Sequence, residues 1–167
     1  ASRQEGPHAH CSKVDPTRKY IYSCDLGADK IYVYTIKGDS LIVYKTIALA
    51  AGSGPRHIDF HPLQKSMVVI NELAGTVTTF LPDENGCFSV YLNTISTLPN
   101  DFNGENKCAD IHFLSDGEFL YASNRGHNSI AIFHINPSTL VPELIGWQNN
   151  NIKTPRNFTI DPTGNYL

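Results

Sequence analysis

Residues 54–80 read GPRHIDFHPLQKSMVVINELAGTVTTF, and their pattern of strands and turns indicates the fold class. It contains short runs of β-branched and aromatic residues, separated by the turn-forming sequences HPLQ and ELAG. No part of it shows the periodicity of an amphipathic helix. The stretch therefore predicts short β-strands joined by tight turns. Arg56 and His57 lie at the head of one predicted strand, and Glu72 lies at the tail of the next.

The same pattern occurs four times along the chain, in residues 7–34, 54–80, 108–133 and 154–167. The turn after the first strand of each unit recurs at intervals of roughly 50 residues. The equivalent turn residues are Pro16, Pro62, Ser115 and Pro162. A weaker fourth strand completes each of the first three units, and it is predicted over residues 40–48, 87–95 and 140–148.

Four short strands per unit at this period are typical of a β-propeller blade. We therefore predict an all-β fold, a β-propeller of four-stranded antiparallel blades at about residues 6–53, 54–107 and 108–153, with the start of another at 154–167. A solenoid is the alternative, but its repeats are usually shorter or helical. Three blades and a piece leave unpaired edges, so we expect a single partial domain, about half of a larger ring.

Composition narrows the possible partners and location. The 167 residues carry a formal net charge of −3, so no basic surplus points to nucleic acid. No apolar run approaches the length of a membrane span, and the polar sequence ASRQEGPHAH is unlike a signal peptide. The four cysteines form no CxxC pair, which favours reduced thiols in a cytoplasmic protein over a disulfide framework.

Superposition of the units separates scaffold from candidate function. Most equivalent positions hold the same residue type in each unit, either a turn former or an apolar core residue. The turn formers are Asp25, Asn71 and Asn124 in one position and Asp29, Gly75 and Asn128 in another, and the apolar residues are Ile31, Val77 and Ile130. A position that differs between units and holds a charge has no such structural explanation.

Two equivalent positions behave in that way. They hold His10, Arg56, Ala109 and Arg156 in one case, and Leu26, Glu72 and Arg125 in the other. If both positions face the propeller axis, these side chains converge on one pocket, with His57 and His127 beside it. Several guanidinium groups with few carboxylates form an anion site, because guanidinium binds phosphate or carboxylate bidentately. A lone carboxylate or a nearby histidine is then a candidate general base.

Long stretches resemble the seven-bladed lactonase family, which contains bacterial 6-phosphogluconolactonases and fungal 3-carboxy-cis,cis-muconate lactonizing enzymes. They are GPHAHCSKVDPTRKYIYSCDLGADKIYVY, GPRHIDFHP, NEL, ADIHFLSDGEFLYASNRGHNSIAIF and PRNFTIDPTGNYL. The resemblance runs over residues 6–167, and family chains are about twice as long as this one. It implies that His10, Arg56, Glu72 and Arg125 form the catalytic set. We further expect the neighbouring His57, His127 and Arg156 to bind substrate.

The resemblance favours hydrolysis of 6-phosphoglucono-δ-lactone, in which arginines hold the phosphate and the oxyanion and either Glu72 or His10 moves the proton. Lactonization of a carboxymuconate is the alternative reaction, and a non-catalytic interaction module is the alternative class. Glu72 also has a structural interpretation as the salt-bridge partner of Arg56. The expected partner is a small anionic lactone or carboxylate. No cofactor is expected, and no metal, because the His8–His10 pair lacks a third ligand.

Overall fold

The computed structural model describes residues 3–63 and 65–167, which form twelve β-strands and contain no helix. Gln64, in the predicted turn HPLQ, lies outside the described residues. The first sheet contains β1 (Ala9–Val14), β2 (Ile21–Asp25), β3 (Lys30–Lys37) and β4 (Ser40–Ala48). The second contains β5 (Pro55–Phe60), β6 (Met67–Asn71), β7 (Thr76–Pro82) and β8 (Phe88–Ser96). The third contains β9 (Lys107–Phe113), β10 (Phe119–Arg125), β11 (Ser129–Ile135) and β12 (Pro142–Gln148).

Each sheet is an antiparallel meander, in which every strand pairs with the next strand along the chain. The first strands β1, β5 and β9 lie next to one another across the sheets, so the three sheets fan out from a shared inner side. This is the arrangement of propeller blades, and it confirms the predicted fold class. No helix among the described residues is long and apolar enough to cross a membrane.

Two apolar cores join the three blades, and the central blade contributes to both. Side chains alternate between the faces of a strand. Met67 and Val69 of β6 therefore pack into the core shared with the first blade, whereas Val68 and Ile70 pack into the core shared with the third. All four side chains are fully buried, and burial of each contributes about 1.5–3 kcal/mol. The continuous apolar run MVVI thus reflects a strand covered on both faces.

The turn positions found by superposition have the predicted backbone role. Asp29, Gly75 and Asn128 all adopt a positive φ, at 53°, 67° and 56°. This left-handed conformation favours glycine and tolerates Asn and Asp, which is why these residue types recur at this position. The preceding turn former also fixes the backbone: the Asp25 carboxylate accepts hydrogen bonds from the amides of His8 (2.7 Å) and Ala28 (3.0 Å).

Residues 154–167 differ from the sequence prediction. The prediction places two strands here, but the structure shows a hydrogen-bonded turn and no strand in this segment. The Asp161 amide donates to the Tyr166 carbonyl (3.0 Å), as the Asp15 amide does to that of Tyr20 (2.9 Å) in the first blade. The sequences DPTGNY and DPTRKY thus form the same turn. A strand needs a ladder of paired residues, and residues 154–167 form none in the structure.

Candidate active site

A β-bulge in the first strand of each blade positions the first set of predicted residues. His10 has no partner in the β1–β2 ladder, and Arg56 has none in the β5–β6 ladder. In the third blade, Ala109 and Asp110 together oppose the single residue Ser123. An inserted residue bends its strand and redirects its side chain. The bulges therefore direct His10 and Arg56 to the inner side of the fan instead of into the alternating pattern of the strand.

The centre of the site is the carboxylate of Glu72, which follows β6 and is fully buried. Three guanidinium groups contact it: one oxygen lies 3.0 Å from Arg3 Nη1, and the other lies 3.1 Å from Arg56 Nη1 and 3.1 Å from Arg125 Nη2. These contacts are ion pairs, because none of the N–H groups points directly at a carboxylate oxygen. One negative charge is thus surrounded by three positive charges.

Backbone carbonyls hold two of the three arginines in place. Arg56 Nε donates a hydrogen bond to the Ala109 carbonyl (3.0 Å) of the neighbouring blade. Arg125 donates from Nε to the Lys107 carbonyl (3.2 Å) and from Nη2 to the Cys108 carbonyl (3.0 Å). Burial lowers the pKa of Arg56 to about 10, with Glu72 opposing the effect and the other arginines adding to it. Arg56 therefore stays protonated at neutral pH.

His10 lies against the buried guanidinium group of Arg56. Arg56 Nη1 contacts both ring nitrogens of His10, with Nε2 the closer of the two. Burial lowers the pKa of His10 to about 4, and the positive charge of Arg56 adds to this shift. The imidazole is therefore neutral at pH 7, and it accepts a hydrogen bond from Arg56 because a guanidinium group can only donate.

A second polar group adjoins this cluster and crosses three units of the repeat. His57 Nδ1 lies 2.6 Å from a carboxylate oxygen of the buried Asp110, and the other oxygen lies 3.1 Å from His112 Nε2. Asn157 Nδ2 also donates to Asp110, at 2.5 Å. Burial by itself raises the pKa of Asp110, but hydrogen bonds from His112 and His57 outweigh it and lower the pKa. Asp110 is therefore ionised at neutral pH.

The structure brings together His10, Arg56, Glu72 and Arg125, with His57 at their edge, where its ring lies 5.4 Å from that of His10. The two other predicted substrate-binding residues, Arg156 and His127, make no hydrogen bond or ion pair with this group in the described part of the chain. Arg156 is exposed and acts on Arg56 only through its charge, which contributes to the lowered pKa of Arg56.

His127 follows β10 and packs against other residues of the third blade and of the loop before it. Its Nδ1 shares a hydrogen bond with Ser129 Oγ (2.7 Å), and its ring packs edge-on against Phe102 and Trp147. Trp147 belongs to β12, the last strand of the third blade. The contacts of His127 are therefore those of a packed scaffold residue, and the structure gives no support to its predicted role in binding substrate.

Two residues of the site are not among the predicted ones. Arg3 precedes the first repeat unit, so superposition of the units offers no signal for it. Asp110 does leave a signal. The position one residue after His10 and Arg56 holds Cys11, His57, Asp110 and Asn157 in the four units. The residue type at that position also differs from unit to unit, and two of these residues, His57 and Asn157, contact Asp110.

An apolar groove and a metal-binding cluster are two other kinds of candidate site to set against the charged cluster. A groove of about 520 Å³ between the outer parts of the first two blades is lined by residues such as Leu49, Phe80 and Tyr91. Its lining contains none of the predicted site residues. Among residues 3–63 and 65–167, no three His, Cys, Asp or Glu side chains come together as metal ligands do. The charged cluster at the inner side is thus the best candidate for chemistry.

Comparison with known proteins gives consistent matches. The chain is 40% identical over 167 residues to an uncharacterised protein of Staphylococcus saprophyticus, covering 100% of this chain and 48% of that one. It is 35% identical over 165 residues to the 6-phosphogluconolactonase of Bacillus subtilis, covering 99% and 48%. The solved structure of the periplasmic gluconolactonase of Pseudomonas aeruginosa matches with a TM-score of 0.91 at 29% identity, over 98% of this chain and 47% of that chain.

The chain thus spans about half the length of these relatives. The family model described as "Lactonase, 7-bladed beta-propeller" matches residues 1–167. The match covers all three blades and the turn of the fourth unit, and it agrees with the four-stranded blades seen in the structure. The chain therefore belongs to the seven-bladed β-propeller lactonase family.

Proposed function

We propose that the protein carrying this chain is a lactonase that hydrolyses a sugar-phosphate lactone, with 6-phosphoglucono-δ-lactone as the favoured substrate. The observation that carries the proposal is the contact of three guanidinium groups with the single buried carboxylate of Glu72. Since His10 is neutral, this cluster has two positive charges in excess. It is suited to bind an anion and to stabilise negative charge that develops during a reaction.

Hydrolysis of a phosphorylated lactone requires positive charge at two places, the phosphate and the carbonyl oxygen. The substrate phosphate is a standing anion, and the carbonyl oxygen becomes an oxyanion when water attacks the carbonyl carbon. Arg56 and Arg125 are fixed by backbone carbonyls, so they keep their positions as charge develops. A preorganised donor of this kind contributes about 3 kcal/mol to transition-state stabilisation. In this proposal the Glu72 carboxylate holds the three guanidinium groups together. Without that carboxylate, their positive charges would drive them apart.

The choice of substrate draws on the named relatives. The Bacillus subtilis relative is named a 6-phosphogluconolactonase and the Pseudomonas aeruginosa relative a gluconolactonase, and both names describe lactones of sugar acids. Arginines also grip carboxylates, so the same cluster suits a carboxymuconate. The test is therefore a comparison of three substrates with the intact protein: 6-phosphoglucono-δ-lactone, glucono-δ-lactone and 3-carboxy-cis,cis-muconate. We expect turnover of the phosphorylated lactone well above its spontaneous hydrolysis.

The variant Arg125→Gln tests the role of the cluster in the same assay. It keeps a polar, uncharged side chain, shorter than that of arginine, and removes one guanidinium charge, so we expect kcat/KM to fall about 10²–10³-fold. The matched control is Lys37→Gln, which removes an exposed positive charge near the outer edge of the first blade. An unchanged kcat/KM in Arg125→Gln would contradict the proposal. Turnover of the muconate alone would replace the reaction, and no turnover of any substrate would favour an interaction module.

We also propose a cytoplasmic location and a role in sugar-phosphate metabolism. Cys11, Cys24, Cys87 and Cys108 are all free thiols, and free thiols persist best in a reducing compartment. One relative is named periplasmic, so the location needs its own test. Cell fractionation that finds the intact protein in the periplasm would overturn this part of the proposal and leave the reaction unaffected.

A further inference from the structure

The pair His57–Asp110 is built like a proton-transfer dyad, although superposition of charged positions does not select Asp110. His57 lies on β5 directly after the bulged Arg56, and Asp110 lies in the corresponding bulge of β9. The Nδ1–Oδ1 distance between them is 2.6 Å. A buried carboxylate that accepts from one ring nitrogen of a histidine fixes both the ring orientation and its tautomer.

The carboxylate of Asp110 is itself rigidly held. Oδ2 accepts from His112 Nε2 (3.1 Å), Asn157 Nδ2 (2.5 Å) and the amide of Phe158 (3.2 Å), while Oδ1 accepts from His57 and from the amide of Ile111 (3.1 Å). Five donors surround one ionised group, which therefore accepts only. The Asp110 carboxylate cannot rotate without breaking several of these hydrogen bonds, so its hydrogen bond to His57 is held in place.

The hydrogen bond to Asp110 determines the tautomer of His57. Because Asp110 accepts, Nδ1 of the neutral ring carries the hydrogen and Nε2 carries the lone pair. Within the described part of the chain, Nε2 makes no hydrogen bond, and the side chain is 25% exposed. The charged and titratable groups around the ring are Asp110 on β9, His10 on β1 and the adjacent Arg56 on β5. His57 thus presents a free proton acceptor beside the guanidinium groups.

The other candidate bases are engaged. His10 already accepts from Arg56, and Glu72 is shared among three guanidinium groups. We propose that His57, positioned by Asp110, is the general base that activates water for attack on the lactone carbonyl. This inference rests on the lactonase function proposed above, and it names the residue that moves the proton in that reaction.

The proposed reaction is hydrolysis of the ester bond of the lactone. Nε2 of His57 takes a proton from water while the water oxygen bonds to the carbonyl carbon. The carbonyl π electrons move to the oxygen, where the guanidinium groups stabilise the negative charge. Collapse of this intermediate re-forms the C=O bond and breaks the bond from the carbonyl carbon to the ring oxygen. His57 then returns its proton to that oxygen, and the product is the open-chain hydroxy acid.

The test uses the intact protein and the substrate that it turns over best. In Asp110→Asn the amide retains the size of the carboxylate but disturbs the tautomer of His57, so we expect kcat to fall about 10²-fold or more, with KM within 3-fold of wild type. The matched control is Asp59→Asn, which alters a carboxylate of the second blade that accepts from Lys13 of the first blade and from the Phe113 amide of the third. A role of Asp110 confined to holding the blades together predicts equal losses in both variants, whereas we expect kcat of Asp59→Asn to stay within 3-fold.

Two further measurements guard against an Asp110 variant that fails to fold. In His57→Ala, added imidazole is expected to restore turnover at least 10-fold, and no such rescue is expected in Arg125→Gln. ¹⁵N NMR of the wild-type protein is expected to show His57 with a hydrogen on Nδ1 and none on Nε2.

The outcomes separate the two proposals. An active wild type whose Asp110→Asn and His57→Ala variants keep their kcat overturns this inference and leaves the lactonase function intact. An Nε2–H tautomer in the wild-type protein overturns it as well. A wild-type protein that turns over none of the three substrates overturns the lactonase function and, with it, the role given to His57.

Discussion

Glu72 shows at the scale of one residue how a buried charge is held in this protein. Its side chain is fully buried, yet three guanidinium groups approach it without aligned hydrogen bonds. Removal of one partner from a buried ion pair costs more than the pair itself contributes, because the remaining charge stays buried. The cluster therefore works as a unit, and Arg56 is the member to which both Glu72 and His10 are tied.

Two histidines, His10 and His112, are expected to change the free energy of unfolding with pH in opposite directions. The folded state lowers the pKa of His10 to about 4, so between pH 6.5 and about 4 the unfolded chain binds more protons and stability falls as the pH falls. Hydrogen bonding to Asp110 raises the pKa of His112, so its contribution to stability is present at low pH and lost as the pH rises above 6.5.

Urea unfolding at several pH values separates these contributions. We expect His10→Gln to flatten the loss of unfolding free energy between pH 6.5 and 4, relative to wild type. We expect His112→Gln to flatten the loss above pH 6.5 instead. Identical pH dependence of wild type and both variants would show that neither shift exists in the folded protein.

Four residues of the cluster can be found from sequence because their charges break a repeat whose other positions are uniform. Arg56, for example, has Ala109 as its equivalent in the next blade. Arg3 cannot be found in that way, since it precedes the first unit and meets Glu72 only through the fold. Asp110 lies at a position whose residue type also varies between units, but superposition cannot show that His57 of the neighbouring blade lies against it.

At the scale of elements, the strand order follows from the sequence but the bulges do not. Alternation and turn signals predict antiparallel strands, and nothing in the periodicity marks one unpaired residue near a strand end. The bulges determine which side chains reach the inner side.

A second feature of the elements is the close approach of two backbone segments at Gly126, which follows Arg125. A Cβ on Gly126 would collide with the Glu105 carbonyl oxygen.

Gly126→Ala is therefore expected to be strongly destabilising. The position has a φ of 138°, which L-residues rarely adopt, and the new methyl group meets backbone instead of a movable side chain. We expect a loss of about 1–3 kcal/mol in the free energy of unfolding, measured in urea. The loop that must shift leads into Lys107, whose carbonyl holds Arg125, so kcat/KM should fall as well.

The matched control for this variant is Gly146→Ala. Gly146 lies in β12 with nothing within 4 Å of an added methyl group, and its φ is not in the left-handed region. We expect a change within about 0.5 kcal/mol there. Equal effects of the two substitutions would refute the explanation by backbone contact.

At the scale of the whole molecule, three blades fan out around one inner side, and the charged cluster draws on all of them. His10 comes from the first blade, Arg56 and Glu72 from the second, and Arg125 from the third. The repeat makes this architecture predictable, because each blade repeats the same turns and the same core positions. Superposition of the repeats cannot identify the residues that contact one another across blades. It aligns equivalent positions and carries no information about the distances between them.

A site assembled from several blades should be stabilised when its ligand ties the blades together. The hydrolysis product 6-phosphogluconate at 100 times its Kd is expected to stabilise the intact protein by about 2.7 kcal/mol, which thermal unfolding detects as a rise in Tm. Gluconate at the same concentration is the matched control, because it lacks the phosphate, and we expect a smaller shift. Equal shifts for the two acids would contradict phosphate recognition by the arginines.

The bulged residues have a consequence for how relatives of this protein can diverge. His10 and Arg56 lie outside the ladder of paired residues, so exchanging either one removes no backbone hydrogen bond of the β1–β2 or β5–β6 ladder. The equivalent residues in three successive blades are indeed His, Arg and Ala. Under the proposed function, we therefore expect substitutions at these positions to change the preference for one anionic compound over another, one blade at a time, while the strand pairing around them is kept.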